Sequence, residues 1–334
     1  MVPIEQLILT SEDLEVALLP AKGADLYRLI DRSSGTDVLF KSPWGLRSPG
    51  PWGGGASSME RWVHAYPGGW QVLVPNGGEE CVIDGVTWSY HGEAALLPWQ
   101  VVEAGPARAV LELDLLSVPL RLRRAVALEG RVLRLEESLS NESDVELEVM
   151  WSHHPAFGAP FLEADCVLAA GCRKVLADDR APGTLLAPAS EHDWPVVTTR
   201  DGGRLDLSRL PGPDEPRAVL AYLADFAEGW FAITNQRQQL GVALRWPLET
   251  FPHAWLWQEV RSGASWPWYR RAYVVAVEPA STIPAQGFAV ARSKGGGGVR
   301  LAGGESRRVE IEAVLFTGDG AVSGVDAGGV VRFA

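Results

Sequence analysis

The feature that most constrains this chain is a period-two alternation that recurs along its length. Leu14, Val16 and Leu18 alternate with polar or small neighbours, and Leu111, Leu113 and Leu115 with Glu112 and Asp114. Leu120 and Leu122 alternate with Arg121 and Arg123, Leu133 and Leu135 with Val132, Arg134 and Glu136, and Val145, Leu147 and Val149 with Glu146 and Glu148. Successive side chains on a strand point to opposite faces, so each run buries one face and wets the other. Short runs divided by Gly, Ser and Asp turns, such as Asp31 to Gly35, connect as hairpins and make antiparallel sheets. No amphipathic stretch of four helical turns interrupts them. The predicted fold is all-β, a large antiparallel β-sandwich with few short helices. The 334 residues, 46% hydrophobic, supply one large core. Without a fixed-period repeat or a composition shift, they read as a single domain, 1–334.

Three stretches break the rhythm. Residues 41–60 are rich in Pro, Gly and Ser and include Gly53-Gly54-Gly55, the length of loop that is usually functional or mobile. Residues 178–218 read as a second irregular excursion. Gly295 to Gly298 reads as a link before a last hairpin turning at Gly303-Gly304-Glu305-Ser306.

Charge and cysteine usage exclude several function classes. Thirty Lys+Arg against 42 Asp+Glu give a net charge of −12, a surface that repels phosphate backbones and anionic lipid. Neither nucleic acid nor membrane is an expected partner. No apolar run approaches the length of a membrane helix, and Met1 to Gln6 does not read as a secretory signal. Cys81, Cys166 and Cys172 are too few and scattered for a disulfide framework or a zinc site, which fits a reducing cytoplasm.

Three features carry chemistry. Fourteen tryptophans are many, and one group (Trp246, Trp255, Trp257, Trp266 and Trp268) lies among His253, Gln258, Glu259 and Arg residues. Aromatic faces beside hydrogen-bonding groups suit a sugar, although aromatics also fill sandwich cores. The His153-His154 pair follows an alternating strand, so the two rings point to opposite faces and do not share a metal. On the residues alone, a pair of structural histidines is at least as consistent as a catalytic one. Glu278 ends the apolar run Tyr273 to Val277, just before Pro279. It is either an edge carboxylate reaching water or a base at a cleft rim with a raised pKa.

Four segments, in order, resemble the aldose 1-epimerase (galactose mutarotase-like) family. They are Leu18-Leu19-Pro20-Ala21-Lys22-Gly23-Ala24; Gly68 to Gly78 leading to Tyr90-His91-Gly92-Glu93-Ala94; His153-His154-Pro155-Ala156-Phe157-Gly158; and Trp255-Leu256-Trp257-Gln258 followed by Ala276-Val277-Glu278-Pro279. The turn at Gly303-Gly304 is also similar to the family's last hairpin. The resemblance spans nearly the whole chain. It implies a galactose mutarotase-like sandwich that interconverts sugar anomers, with Glu278 as base at O1 and His154 as acid at the ring oxygen. His91, Gln71, Asn76, His153, Trp257 and Gln258 would bind the sugar. It implies no metal or organic cofactor, and the chain has no glycine fingerprint for a dinucleotide.

The chain departs from the family pattern in two places. The Arg that the family carries before its first His has only Arg61 as a counterpart, in different surroundings. The family's Asp between the catalytic His and Glu has only Asp225. Three other functions stand beside anomer exchange. A glycosidase needs two carboxylates where this chain offers one and a His. A non-catalytic sugar-binding or regulatory protein would need no acid–base pair. A phosphosugar epimerase would draw on cations such as Arg261, Arg270 and Arg271.

Overall fold

The computed structural model describes residues 4–47 and 57–334. The chain is 51% strand and 4% helix, and the named strand pairings in its principal sheet are antiparallel. The alternation read from the sequence holds wherever one sheet face meets water. Along Leu120–Glu129 the leucines and Val126 are buried, while Arg121, Arg123 and Glu129 are exposed. The hydrogen-bonded network runs through 17 strands. It is nonetheless a sandwich, because the 19-residue strand Arg217–Asn235 belongs to both layers. Its second half, Trp230 to Asn235, pairs with Leu240–Arg245 in one layer. Its first half, Arg217 to Leu223, pairs with His253–Val260 in the other.

The passage between layers is a local backbone device. Asp225 takes φ 54°, and the pairing register slips between Ala170 and Cys172 on the neighbouring strand. At Gly229 a Cβ would lie 2.5 Å from the Trp246 carbonyl oxygen, so only glycine lets the strands cross this closely. Asp225 is exposed there and faces Arg173 at 3.5 Å. It sits at this bend and not beside His154 or Glu278.

The layer that carries the candidate residues is ordered Leu14–Leu19, Asp25–Asp31, Trp70–Leu73, Ser152–Gly158, Tyr273–Ala280, His253–Val260. Its central strands Ser152–Gly158 and Tyr273–Ala280 are buried at every position. One face packs on the main core through Val275 and Val277. The other carries a second core of Phe40, Trp62, Tyr66, Ala156, Val274 and Ala276. A strand covered on both sides has no wet face, so it reads as a continuous apolar run.

Two helices occur among the described residues, Ser58–Ala65 and Phe288–Ser293. The first is closed by a capping box, with Ser57 accepting from the Glu60 N–H and Glu60 accepting from the Ser57 N–H. Neither helix is long and apolar enough to cross a membrane. Of the 41–60 stretch, residues 48–56, including Trp52 and the three consecutive glycines, lie outside the described residues. The turn at Gly303-Gly304 is not a hairpin. The strand before it, Val299–Leu301, pairs with Leu147–Val149, and the strand after it pairs elsewhere. The last hairpin is Val322–Asp326 with Val330–Phe333.

Candidate active site

Register decides which side chains meet. Ala156 lies opposite Ala276, and Trp255 opposite Glu278. Counting by twos, His154, Glu278, Trp255 and Trp257 therefore share the face that carries the second core. His153, one residue away, points through the sheet. There its Nδ1 accepts from Trp70 Nε1 at 3.2 Å, and its Nε2 lies 3.3 Å from Glu137.

His154 Nε2 and Glu278 Oε1 are 3.6 Å apart, and both side chains are buried. The two groups sit on adjacent strands at the floor of a cavity of about 330 Å3, within the usual range for small-molecule sites. Trp62 from the capped helix, Tyr90, His91, Trp257 and Trp268 wall it, and Ala181, Pro182 and Thr184 of the 178–218 excursion close another side. The Trp62 ring lies 4.6 Å from His91 and 5.9 Å from His154, and Trp257 lies 5.8 Å from His154.

Burial sets the electrostatics. It pushes the Glu278 carboxyl well above its ordinary pKa. It also lowers His154 to about 4, with the Lys22 ammonium repelling a second positive charge. His91 is likewise held well below its ordinary value by burial and by His154. Both shifts favour the uncharged forms, so a proton shared by the pair resides on Glu278 in preference to His154. His91 Nδ1 accepts the Gly78 N–H at 3.0 Å. The proton of the neutral ring is then on Nε2, and His91 acts as a donor.

Among the described residues, several buried polar atoms here have no hydrogen-bond partner: Trp62 Nε1, His154 Nδ1, Glu278 Oε2 and, behind them, Tyr66 Oη. Buried donors and acceptors are nearly always satisfied in folded proteins, so a cluster of open ones around one cavity marks a place for a polar ligand. Among the described residues, no group of three or more His, Cys, Asp or Glu is placed to hold a metal ion.

The other sequence-derived candidates divide. His91 and Trp257 line the cavity. Gln258 borders it, but strand alternation sends its amide to the face opposite Trp257, alongside its cross-strand partner Val275. Gln71 lies beside His154 in the ladder, yet its amide donates to Asp25 at 2.7 Å, and Asp25 also pairs with Lys22 at 2.5 Å. Asn76 spends its amide on the carbonyls of Glu79 and Ser89 and accepts from the Phe288 N–H. Gln71, Asn76 and His153 therefore stand outside the cavity lining, each held by the protein's own groups. Arg61, Arg261, Arg270 and Arg271 do not line it either. Arg261 faces Asp214, and Arg271 donates to the Pro43 carbonyl. Sequence reasoning gave no site role to Trp62 or Tyr66, and held Trp268 only as one of the tryptophan group suited to a sugar. The Ser57–Glu60 capping signature announces the helix that presents the first of these.

The fold is that of a galactose mutarotase-like sandwich. Similar solved structures include the Slr1438 protein from Synechocystis sp. PCC 6803, at 17% identity, covering 95% of this chain and 97% of that one with a TM-score of 0.69. A galactose mutarotase-like protein from Lactobacillus casei is 14% identical, covering 93% and 100%, TM-score 0.66. The GalM/aldose epimerase homologue from C. elegans is 14% identical, covering 94% and 99%, TM-score 0.62. The chain itself belongs to the family described as domain of unknown function DUF4432, whose model matches residues 4–315. No curated protein matches it.

Proposed function

We propose that the protein is an aldose 1-epimerase-like isomerase that interconverts the α and β anomers of a neutral aldose. The observation that carries this reading is the His154–Glu278 pair at 3.6 Å, buried on the floor of an aromatic-walled cavity with open hydrogen-bonding atoms. Anomer exchange removes a proton from O1 and delivers one to the ring oxygen. Both oxygens are bonded to C1, so an acid and a base as close as His154 and Glu278 can reach the two together.

The pair needs one proton between its two members. One member takes the O1 proton while the other protonates the ring oxygen, and the C1–O5 bond breaks to give the aldehyde. Rotation about C1–C2 presents the other carbonyl face, and closure returns both protons. The resemblance implies Glu278 as base and His154 as acid, which requires the proton on His154. Burial favours the opposite arrangement in the free protein, so sugar binding would have to move the proton for those roles to hold. A neutral substrate fits because no Lys or Arg lines the cavity among the described residues, and residues 48–56 contain none. This argues against a phosphate held within the cavity itself.

The test is polarimetry across a panel of free aldoses. Glu278→Gln and His154→Asn should each slow anomer interconversion by about 100-fold or more, the scale of positioned acid–base groups, while calorimetry still detects sugar binding. An undiminished rate in either variant would remove that residue from the chemistry. Equal binding with no turnover in the unmutated protein would favour a sugar-binding protein instead.

A further inference from the structure

We propose that a groove beside the cavity is a second sugar subsite, so that the substrate is a reducing oligosaccharide whose terminal ring occupies the cavity. This rests on the anomer-exchange reading above. The groove encloses about 220 Å3, and Trp44, Trp266, Trp268 and Tyr269 line it. Val63, Pro267 and Trp268 line both the groove and the catalytic cavity, so the two spaces share a wall.

The loop that builds the groove is oversized for its topological task. His253–Val260 and Tyr273–Ala280 are adjacent antiparallel strands. Such hairpins close with about 2–5 residues, and here residues 261–272 intervene. The insertion places three aromatic rings between the strand carrying Trp257 and the strand carrying Glu278. Trp266 is 38% exposed and Tyr269 60% exposed, so neither ring is there to fill a core. Trp268, by contrast, is fixed by stacking on Trp44 at 5.3 Å and 11° and by Trp257 at 5.7 Å.

The loop is anchored and strained. The Glu259 carboxylate accepts the N–H groups of Ser262 at 2.8 Å and Gly263 at 3.1 Å. The Arg270 N–H donates to the Gly263 carbonyl at 2.7 Å, and the Arg271 guanidinium to the Pro43 carbonyl at 2.8 Å. Tyr269 and Arg270 both take positive φ, 47° and 59°. Side-chain-bearing residues adopt that conformation only when the surroundings impose it, and such strain collects at functional segments. Exposed aromatic faces on an anchored loop suit the C–H face of a pyranose. Arg47 and Arg271 line the groove and have no carboxylate partner among the described residues, so their spare N–H groups suit its hydroxyls.

The experiment measures binding by calorimetry and turnover by polarimetry. Its probes are glucose and galactose, and the disaccharides maltose, cellobiose and lactose, which carry glucose at the reducing end. The proteins are the unmutated chain and Trp266→Ala/Tyr269→Asn, asparagine being chosen because it tolerates positive φ. At least one disaccharide should bind about tenfold tighter than glucose, the scale of an added stacking contact. In the variant that ratio should fall to about one. Disaccharides that bind no tighter than glucose, or a variant that leaves the ratio intact, would overturn the subsite, as would no binding at all. Preferential disaccharide binding without mutarotation would keep the subsite and overturn the anomer-exchange reading alone.

Discussion

Glu278 holds a carboxyl where burial penalises its ionised form, and His154 holds an imidazole where burial penalises its protonated form. Both penalties favour the uncharged forms, so the proton the pair shares is held on Glu278 in preference to His154, and the two macroscopic pKa values belong to the pair. On the acid side turnover should therefore fall only as His154 takes up its proton near pH 4. On the alkaline side it should fall as Glu278 finally ionises. A kcat/KM profile with its acid limb near 6.5, the ordinary histidine value, would show that His154 is not held as described. The same burial has a cost in stability with a definite sign. Glu278 is raised in the folded state, so its contribution is complete below about 4.5 and is lost as pH rises through the folded pKa. Glu278→Gln removes that titration. Its stability relative to the unmutated protein should grow with pH above about 4.5, by about 1.4 kcal/mol per pH unit until the folded pKa is reached. Urea unfolding at several pH values measures this without reference to activity. Sequence physics could say that His153 and His154 face opposite ways but not which faced the cavity. That depended on where Trp70 and Glu137 lie, which only the assembled sheets define.

At the scale of elements, legibility followed water. Strands with one wet face, such as Leu120–Glu129, announced themselves by alternation. The strands that carry His154 and Glu278 did not, because a second core covers their outer face. The strand shared by both layers was hidden as well. Its bend at Asp225 to Gly229 carries the residue types of a turn, although the strand continues through it. Helix Ser58–Ala65 is two turns long, too short for periodicity to stand out, and its stability leans on the Ser57 cap and on packing. That helix presents Trp62 to the cavity, which ties a local cap to the site. Ser57→Ala should lower stability by about 1 kcal/mol, raise KM through the displaced Trp62, and leave the chemistry of the pair intact. Ser57→Asp, which still caps, should restore both. Chemical denaturation and a KM-against-kcat comparison on the two variants check the argument, and a fall in kcat alone would contradict it.

The whole molecule is tied together by a buried ionic chain that the sequence does not reveal, because its members lie on distant segments. Arg124 and Glu137 face each other across the Leu120–Glu129 and Val132–Asn141 pair at 2.6 Å. Arg124 also donates to the Ala24 carbonyl at 2.9 Å, and Glu137 reaches His153 of the layer that carries His154. The two layers thus meet through charge as well as through apolar packing, directly behind the strand that carries His154. Burial alone would push Glu137 upward, but Arg124 and His153 outweigh it and bring the carboxylate to about 2. A depressed carboxylate contributes stability that is present above about 4.5 and lost as pH falls toward 2. Arg124→Leu leaves Glu137 buried with the His153 ring as its remaining partner. It should cost about 3–5 kcal/mol at neutral pH, the usual penalty for a stranded buried charge. With the guanidinium gone the balance tips back to burial, Glu137 titrates upward, and protonation relieves the strain. The deficit relative to the unmutated protein should therefore shrink as pH falls, the reverse of the native dependence. Arg124→Leu/Glu137→Leu removes both charges and should recover most of the loss, since apolar replacement of a whole buried pair is often neutral. Urea unfolding of both variants across the acid range decides it. A deficit independent of pH would mean that Arg124 contributes packing rather than charge.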